Sequence, residues 1–341
     1  MKKPILAICL VTFVLFSRDV LCCNRSLLSE IRQLIKKECV FPVDDGRLAK
    51  LECKNLNRGL KGIDPYARWY ARDSAPETET TSDMVGIGAI LTRYGRNYYL
   101  YPYKNGPLYK KGVKGRVRLV AINKKRVDGL SYMRVWKMFL GPVNSMVRLD
   151  IVQHGARRWF YLVRSRYTPG SLELYKEKGR VVFRILRFDS RQTRVYLQEE
   201  LSRIAPDTEL VIDLQACPGG DLYEALDCAA LFLSPGKLMV RLEDARGNVR
   251  DIIVPKSLPS FDRRVKIIVG PDTASAAEIF AGVLSFYGVG RIKGHTTMGK
   301  CTSQRFFVLQ DGSKLRLSNL KIMFPDGSSC QGRGLSGKAN R

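Results

Sequence analysis

The stretch 265-VKIIVGPDTASAAEIFAG-282 contains a strand, a turn and a helix in succession, and it decides the fold of the region around it. Residues 267–269 form a short apolar run typical of a buried strand, and the turn at 270–272 breaks it. Apolar residues at helical spacing then follow between 279 and 284. Ser275 therefore lies at a helix N-terminus directly after a strand, where unpaired N–H groups favour a developing oxyanion. A serine that merely caps the helix explains the same pattern.

Strands and helices alternate on both sides of this stretch. The patterns predict strands at 180–186, 209–214, 289–294, 304–310 and 314–322, helices at 191–204 and 221–233, and a hairpin that joins 237–244 to 248–254. This alternation indicates an α/β layer that contains parallel strand pairs.

The first half of the chain reads differently. Residues 25–62 predict two helices, the first ended by Pro42 and the second resuming near Asp45. A polar stretch at 74–83 predicts a linker or loop. A small β-rich domain follows, with strands at 86–91, 116–122, 146–152 and 158–163 and one helix at 131–141.

The composition is that of a globular protein, because 45% of the 341 residues are hydrophobic and 26% are charged. Lys2 and Lys3 precede an apolar run at 4–16, which has the length of a signal-peptide core and is short of the ~20 residues that span a bilayer. No later segment is long and apolar enough to span. We expect an exported, periplasmic or extracytoplasmic protein. Plain cleavage and lipid attachment near Cys22 and Cys23 both remain open.

Export allows disulfides. A Cys39–Cys53 pair could join the two N-terminal helices, although each cysteine is equally compatible with a buried thiol, and the sequence does not give the connectivity. No CxxC pair or Cys/His cluster occurs, so we expect no metal and no cofactor.

The net charge of +26 favours attraction to acidic partners and says nothing about the fold. Residues 91–127 contain eleven Lys and Arg, no acidic residue, and interleaved tyrosines. This basic stretch is interpreted as a face for acidic peptides or an anionic membrane surface, or as a merely solvated face. Nucleic acid is the less favoured partner for an exported protein.

Ser275 needs a base, and the chain has only two histidines, His154 and His295. Lys300 is a candidate, since a lysine accepts a proton once burial lowers its pKa from ~10.4 to ~7–8. The segment 294-GHTTMGK-300 also matches a phosphate-binding loop up to its last position, where Cys301 replaces the required Ser or Thr. That loop should open a helix, whereas a strand is predicted after Lys300.

Several segments, in order, resemble the carboxy-terminal processing, or tail-specific, protease family along nearly the whole mature chain. They are 60-LKGIDPYARWY-70, 86-GIGA-89, 129-GLSYMRVWKMFLGPVNSMVRLDI-151, 209-ELVIDLQACPGGDLYEALDCAALFL-233, 273-TASAAEIFAG-282, 299-GKCTSQ-304 and 326-DGSSCQGRGL-335. Ser275 and Lys300 have the spacing of the family's serine and lysine. The chain departs from the family's usual residues at Gln215, Ala216, Ala277 and Cys301, and none of these departures removes a catalytic group.

The resemblance implies an α/β core like that of the crotonase and Clp protease group, with an inserted β-rich PDZ-like domain and an N-terminal helical element. The expected divisions are a signal peptide at 1–22, the helical element at 24–75, the PDZ-like domain at 84–166 and the protease core at 172–341.

The resemblance also implies a serine endopeptidase with a Ser-Lys mechanism and no cofactor. Ser275 would be the nucleophile, Lys300 the base and Gln304 the residue that holds the lysine. The oxyanion hole would use the N–H of Ala276 with that of Gly219 or Gly220.

Protein substrates with free C-termini are the expected partners. Their carboxylate would bind the loop formed by Gly86, Ile87 and Gly88. A catalytically inactive, peptide-binding scaffold of the same fold is the alternative.

Overall fold

The computed structural model describes residues 23–72, 84–167, 170–177 and 179–337. The predicted signal peptide at 1–22 and the predicted linker at 74–83 lie outside the described residues. Within the described part of the chain, no helix has the length and apolar character needed to cross a bilayer.

The N-terminal region is helical. It comprises α1 (Arg25–Glu38), α2 (Asp45–Ala49), a 3-10 turn (Cys53–Asn55), α3 (Leu56–Lys61) and a short strand β1 (Arg68–Tyr70). Asn24 caps α1 by accepting a 2.9 Å hydrogen bond from the Leu27 N–H. The second predicted helix is wrong as a single element, because a non-helical stretch at 50–52 and the 3-10 turn divide it.

Residues 84–167 form a unit that we call the second domain. Its elements are β2 (Met84–Gly86), β3 (Ala89–Tyr94), β4 (Asn97–Pro102), α4 (Pro107–Lys110), β5 (Val117–Ile122), β6 (Lys125–Arg126), α5 (Tyr132–Phe139), β7 (Met146–Gln153), β8 (Ala156–Val163) and β9 (Ser165–Tyr167). An antiparallel sheet runs in the order β3-β4-β5-β7-β8, with β6 on β5, and β2 pairs with β9 at the entry and exit of the domain.

The tyrosines of the basic stretch do not form one exposed patch. Tyr98 and Tyr101 lie in β4 and are buried, with 0% and 4% of their surfaces exposed. Tyr98 also donates a 2.7 Å hydrogen bond to the Leu130 carbonyl. Tyr98 belongs to the apolar cluster of the second domain, whereas Tyr101, three positions further along the strand, lies on the opposite face of β4.

The remaining elements form the α/β core. They are β10 (Leu172–Glu177), β11 (Arg180–Ile185), α6 (Thr193–Leu201), β12 (Glu209–Asp213), α7 (Leu222–Ala230), β13 (Leu238–Asp244), β14 (Val249–Ile253), β15 (Val265–Val269), α8 (Ala276–Phe286), β16 (Gly290–Gly294), β17 (Thr302–Val308) and β18 (Lys314–Met323).

One core sheet runs in the order β10-β11-β12-β15-β16, and its last four strands are parallel. The predicted parallel pairing is therefore confirmed. A second sheet contains β1, β18, β13 and β14, with β17 paired to β18. Because β12 and β15 are parallel neighbours, the segments that follow them, 214–220 and 270–275, meet at one edge of the sheet.

Three clusters of buried apolar residues hold the chain together: one in the core, one in the second domain and one under the N-terminal helices. The third cluster includes Leu309, Leu315 and Leu317 from the end of the chain. The N-terminal helices therefore pack against the β17–β18 hairpin.

The suggested Cys39–Cys53 pair is wrong. Cys53 is bonded to Cys23, and Cys39 is a buried free thiol. Burial raises the pKa of Cys39 to about 11, so its reactive thiolate is disfavoured. A second disulfide joins Cys301 to Cys330.

Candidate active site

Ser275 occupies a sharp turn between β15 and α8. Its φ of 56° and ψ of −126° are unusual for a residue other than glycine, and such a conformation costs about 1–3 kcal/mol. A serine that only caps a helix normally has an extended backbone, so the capping interpretation does not account for this geometry. Strained strand-to-helix turns of this kind present a nucleophile above the carboxyl edge of a sheet.

Buried hydrogen bonds hold this turn in place. The Thr273 hydroxyl donates to the Leu214 carbonyl at 2.7 Å and accepts from the Gly270 N–H at 2.9 Å. The Ala274 N–H donates to the Cys217 carbonyl at 3.1 Å. These bonds tie the serine turn to the segment after β12.

The Pro218-Gly219-Gly220 turn lies directly against the serine. A Cβ placed on Gly219 would lie 2.9 Å from the Ser275 Cβ and 3.0 Å from the Ala276 nitrogen, and the φ of Gly219 is 107°. Only glycine satisfies both constraints. The Gly219 carbonyl accepts from the Phe188 N–H at 2.9 Å, which fixes the turn.

The structure therefore brings Ser275, Ala276 and Gly219 together. Ala276 is the first residue of α8, and its N–H has no partner within the helix because the first N–H groups of a helix never do. An oxyanion beside Ser275 would face this N–H and the positive end of the helix dipole.

Glu278 connects the serine to the lysine. Its carboxylate is fully buried, and one oxygen, Oε2, accepts from the Ser275 N–H at 2.9 Å and from the Lys300 N–H at 2.7 Å. Because both N–H groups donate to the same oxygen atom, the backbone nitrogens of Ser275 and Lys300 lie close together. The other oxygen, Oε1, accepts from the Gly299 N–H at 2.7 Å and from the Thr297 hydroxyl at 2.5 Å.

Lys300 is half-buried, and its ammonium lies 5.3 Å from the centre of the Tyr66 ring. Tyr66 follows α3, so the N-terminal region forms part of the surroundings of the lysine. The Tyr66 hydroxyl donates to the Gly299 carbonyl at 3.4 Å and accepts from the Gln331 amide at 3.2 Å. The Gln331 side-chain oxygen in turn accepts from the Cys301 N–H at 2.8 Å.

Lys300 leads into strand β17 and not into a helix. The phosphate-loop interpretation of 294–300 therefore fails on the structural context that it requires. His295 lies beside Tyr94 of the second domain, with ring centroids 6.4 Å apart.

Gln304 lies in β17, where its amide donates to the Thr302 carbonyl at 2.8 Å and to the Thr302 hydroxyl at 3.0 Å. A β-bulge at Ser303 and Gln304 interrupts the pairing with β18. The assignment of Gln304 as the residue that holds Lys300 stays a prediction.

Among the described residues, one set of side chains has the spacing of a metal site: Glu278, Cys301 and Cys330. The two cysteines are joined in a disulfide, and the carboxylate already accepts four hydrogen bonds. The donor set therefore does not fit a metal ion in this state.

The loop of Gly86, Ile87 and Gly88 lies apart from Ser275, in the second domain. Together with α5 it borders a largely apolar cavity of about 140 Å³ that is also lined by Leu91, Trp136 and Phe139. The Ile87 and Gly88 carbonyls accept from the Leu108 and Tyr103 N–H groups. These bonds fix the loop in place.

Sequence reasoning missed Glu278, Tyr66 and Gln331. A signal for Glu278 was available, since Ser275 and Glu278 have the spacing of a capping box and the glutamate does reach the serine N–H. No local pattern marks Tyr66 or Gln331, because both reach the site from distant parts of the chain.

The fold and site together define an α/β domain that presents a strained serine beside a glycine turn and a lysine. Residues 181–338 match the family profile described as Peptidase family S41. This part of the chain is therefore similar to peptidase family S41, which confirms the resemblance to processing proteases.

Curated relatives agree with this assignment. A CtpA-like serine protease candidate of Staphylococcus aureus (strain COL) is 27% identical over 319 residues, which cover 92% of this chain. A similar candidate from Staphylococcus haemolyticus (strain JCSC1435) is 28% identical over 299 residues, which cover 85% of this chain. The chain spans 64% of the length of the first relative and 59% of that of the second.

Solved structures share the fold. The photosystem II D1 C-terminal processing protease superposes with a TM-score of 0.63 at 21% identity, over 91% of both chains. An S41 protease candidate from Bacteroides fragilis superposes with a TM-score of 0.60 at 15% identity, over 90% of this chain and 88% of its own. The mixed α/β fold with several sheets is thus that of S41 protease structures.

Proposed function

We propose that this protein is an exported serine endopeptidase that cleaves protein substrates through a Ser-Lys mechanism. The observation that supports it best is the joint placement of Ser275 and Lys300. Ser275 lies in a strained turn against Gly219, and one buried carboxylate oxygen binds the backbone N–H groups of both Ser275 and Lys300. The family match over 181–338 and the similar proteins support the same reaction class.

In the proposed reaction the Ser275 hydroxyl oxygen bonds to the peptide carbonyl carbon while neutral Lys300 takes the hydroxyl proton. The carbonyl oxygen becomes an oxyanion beside the N–H groups of Ala276 and Gly219. The C–N bond then breaks, and Lys300 returns the proton to the leaving amine. Water attacks the acyl-enzyme in the same way, which releases the acid and regenerates Ser275.

The Tyr66 ring bears on the lysine's role. A cation over an aromatic ring is stabilised by about 0.5–2 kcal/mol, so the ring favours the ammonium form. Burial of the ammonium opposes this preference. We propose that a substrate covering the site removes water from around Lys300 and so favours the neutral base.

Recognition of substrate tails is proposed for the second domain, which would act as a PDZ-like module. Among the described strands, β3 pairs only with β4, so its outer edge is open beside α5. An extended peptide can add to such an edge, and its terminal carboxylate would meet the backbone N–H groups of Gly86, Ile87 and Gly88. The apolar cavity would take the last side chain.

Export is supported by the two disulfides, which persist in oxidising compartments. A Cys23 thiol bonded to Cys53 is not available for lipid attachment. We therefore propose an extracytoplasmic protein in which Cys23 carries no lipid.

The test is labelling with a fluorophosphonate probe and cleavage of an unfolded protein substrate. We expect Ser275→Ala to abolish labelling and cleavage, and Lys300→Ala to reduce both by at least 1,000-fold, roughly the loss of a nucleophile's base. Ser285→Ala, an exposed serine on the same helix, is the matched control and should keep full activity. Lack of labelling in a folded wild-type protein would favour the inactive scaffold.

A further inference from the structure

A second cavity, of about 800 Å³, lies between the second domain and the core. One wall comes from the segment around α4 and β5 and from the turn between β7 and β8. The other wall comes from the β10–β11 hairpin of the core. The basic side chains that line it are Lys104, Lys114, Arg116, His154, Lys176 and Arg184.

The lining is strongly cationic, and the described residues that line it include no carboxylate. Arg184 is neutralised from behind the wall by Asp213 at 3.1 Å and Glu173 at 3.5 Å. The Lys104 ammonium donates to the Leu174 carbonyl at 2.7 Å. Lys104 and Arg184 therefore already have partners within the protein and form part of the cavity wall.

The other three cations are placed differently. Among the described residues, no salt bridge joins Lys114, Arg116 or Lys176 to an acidic side chain, and all three are exposed. The Arg116 guanidinium stacks on the Tyr99 ring at 3.8 Å, which orients it and leaves its N–H groups for another acceptor. Three like charges around one concavity repel each other until an anion binds between them.

The shape of the cavity favours an extended ligand. Its volume exceeds what a single carboxylate or phosphate fills and lies within the range of sites for larger ligands. Strand β10 lines it with residues 174–176 and, among the described strands, pairs only with β11. Its free edge can accept a peptide strand, apart from the Leu174 carbonyl that Lys104 occupies.

The Tyr101 hydroxyl connects the cavity electrostatically with the turn before Ser275. The charges of Arg116, Arg184 and Asp272 all act on the buried Tyr101 hydroxyl, and Asp272 is three residues before Ser275.

We propose that this junction cavity binds an acidic, extended segment of the substrate through Lys114, Arg116 and Lys176, and so makes the enzyme prefer substrates with Asp and Glu upstream of the tail. The inference that this binding selects substrates rests on the proposed peptidase function. The binding itself is testable without catalysis.

The first experiment measures binding to the Ser275→Ala protein by fluorescence anisotropy at low salt. Two peptides share one C-terminal tail and differ in a spacer of six residues, which is either Asp/Glu-rich or Ser/Gly-rich. We expect the acidic peptide to bind about tenfold more tightly, and this ratio to fall toward one at high salt because exposed ion pairs are weak and screened.

The site is located by a charge-matched pair of variants. Lys114→Gln, Arg116→Gln and Lys176→Gln together should reduce the tenfold ratio to near one. The control replaces Lys61, Lys125 and Arg246 by glutamine, which removes the same charge from exposed positions outside the cavity, and should keep the ratio. Circular dichroism checks that both variants fold, and the single variant Lys114→Gln should lower the ratio partway.

Two outcomes would overturn the proposal: equal binding of the two peptides by the wild-type cavity, or an equal fall of the ratio in both triple variants. Tight binding of polyphosphate together with equal peptide binding would assign the cavity to another anion. Cleavage by the wild-type protein, which retains Ser275, is measured separately with substrates that carry the same two spacers. Failure of cleavage alone would contradict the proposed function and leave the binding result intact.

Discussion

Glu278→Gln tests how the serine and lysine are held together. The substitution keeps the size and shape of the side chain and replaces one carboxylate oxygen by an NH₂ group. The native carboxylate accepts four hydrogen bonds, from the N–H groups of Ser275, Gly299 and Lys300 and from the Thr297 hydroxyl. Glutamine can accept two of these at its remaining oxygen.

The two orientations of the amide differ in what they leave unpaired. With NH₂ in the place of Oε2, both the Ser275 and Lys300 N–H groups lose their acceptor. With NH₂ in the place of Oε1, only the Gly299 N–H must lose its acceptor, because the Thr297 hydroxyl can turn and accept. The second orientation is therefore favoured.

Its cost follows from the buried groups. One unpaired buried N–H costs about 1–3 kcal/mol, and the surviving bonds lose the strength given by the charge. We expect a destabilisation of roughly 2–4 kcal/mol, which corresponds to a Tm lower by about 5–15 °C. A displacement of the reacting groups by about 1 Å can cost about 100-fold in rate, so kcat should fall by about that factor.

The assay compares kcat and KM well below the Tm of every variant. Glu224→Gln is the matched control, because this buried carboxylate also accepts two backbone N–H groups, of Arg191 and Arg194 at 2.7 Å each, and contacts neither Ser275 nor Lys300 through them. It should lower Tm with little change in kcat. If Glu278→Gln lowers Tm by the same amount and keeps a wild-type kcat, the carboxylate serves stability alone and the positioning argument is wrong.

Three further predictions follow from other parts of the molecule. Reduction with a dithiol should lower activity, because Cys301 follows Lys300 directly and its disulfide with Cys330 holds it in place. Cys330→Ala should show the same loss without added reductant, and equal activity of the native, reduced and Cys330→Ala proteins would contradict this. Burial raises the pKa of the Asp272 carboxyl above its ordinary value of 3.8, so this group stabilises the native state fully below pH 3.8 and loses that contribution as pH rises through the raised pKa. Asp272→Asn should remove this part of the pH dependence of Tm, and parallel Tm curves for the two proteins would show that the carboxyl does not contribute. Amidation of a substrate's C-terminus should slow cleavage severalfold at any salt if Gly86, Ile87 and Gly88 bind the carboxylate, whereas equal rates would remove tail recognition.

Much of the core was predictable because its signals are local. The strand at 265–269, the helix from Ala276 and the parallel order of the core strands follow from short apolar runs, turn residues and helical spacing. Ser275 was found for the same reason, since a serine between such a strand and such a helix lies at the carboxyl edge of a parallel sheet.

Other elements were missed or misread because tertiary contacts override local pattern. Strand β4 read as a basic, aromatic surface, and only packing against β5 and α5 explains why Tyr98 is buried. Strand β10 was not predicted, because its residues are polar as well as apolar and only its pairing with β11 defines it.

The sequence by itself determined the order of the core elements and the position of Ser275, because neighbouring residues set each of these, and the resemblance to a protease family added Lys300 as its candidate partner. The tertiary structure decided which cysteine pairs with Cys53, that Tyr66 meets the lysine and that Glu278 binds the backbone of both Ser275 and Lys300. These facts depend on residues far apart in the chain, whose distance in space is fixed only when the sheets and helices have packed.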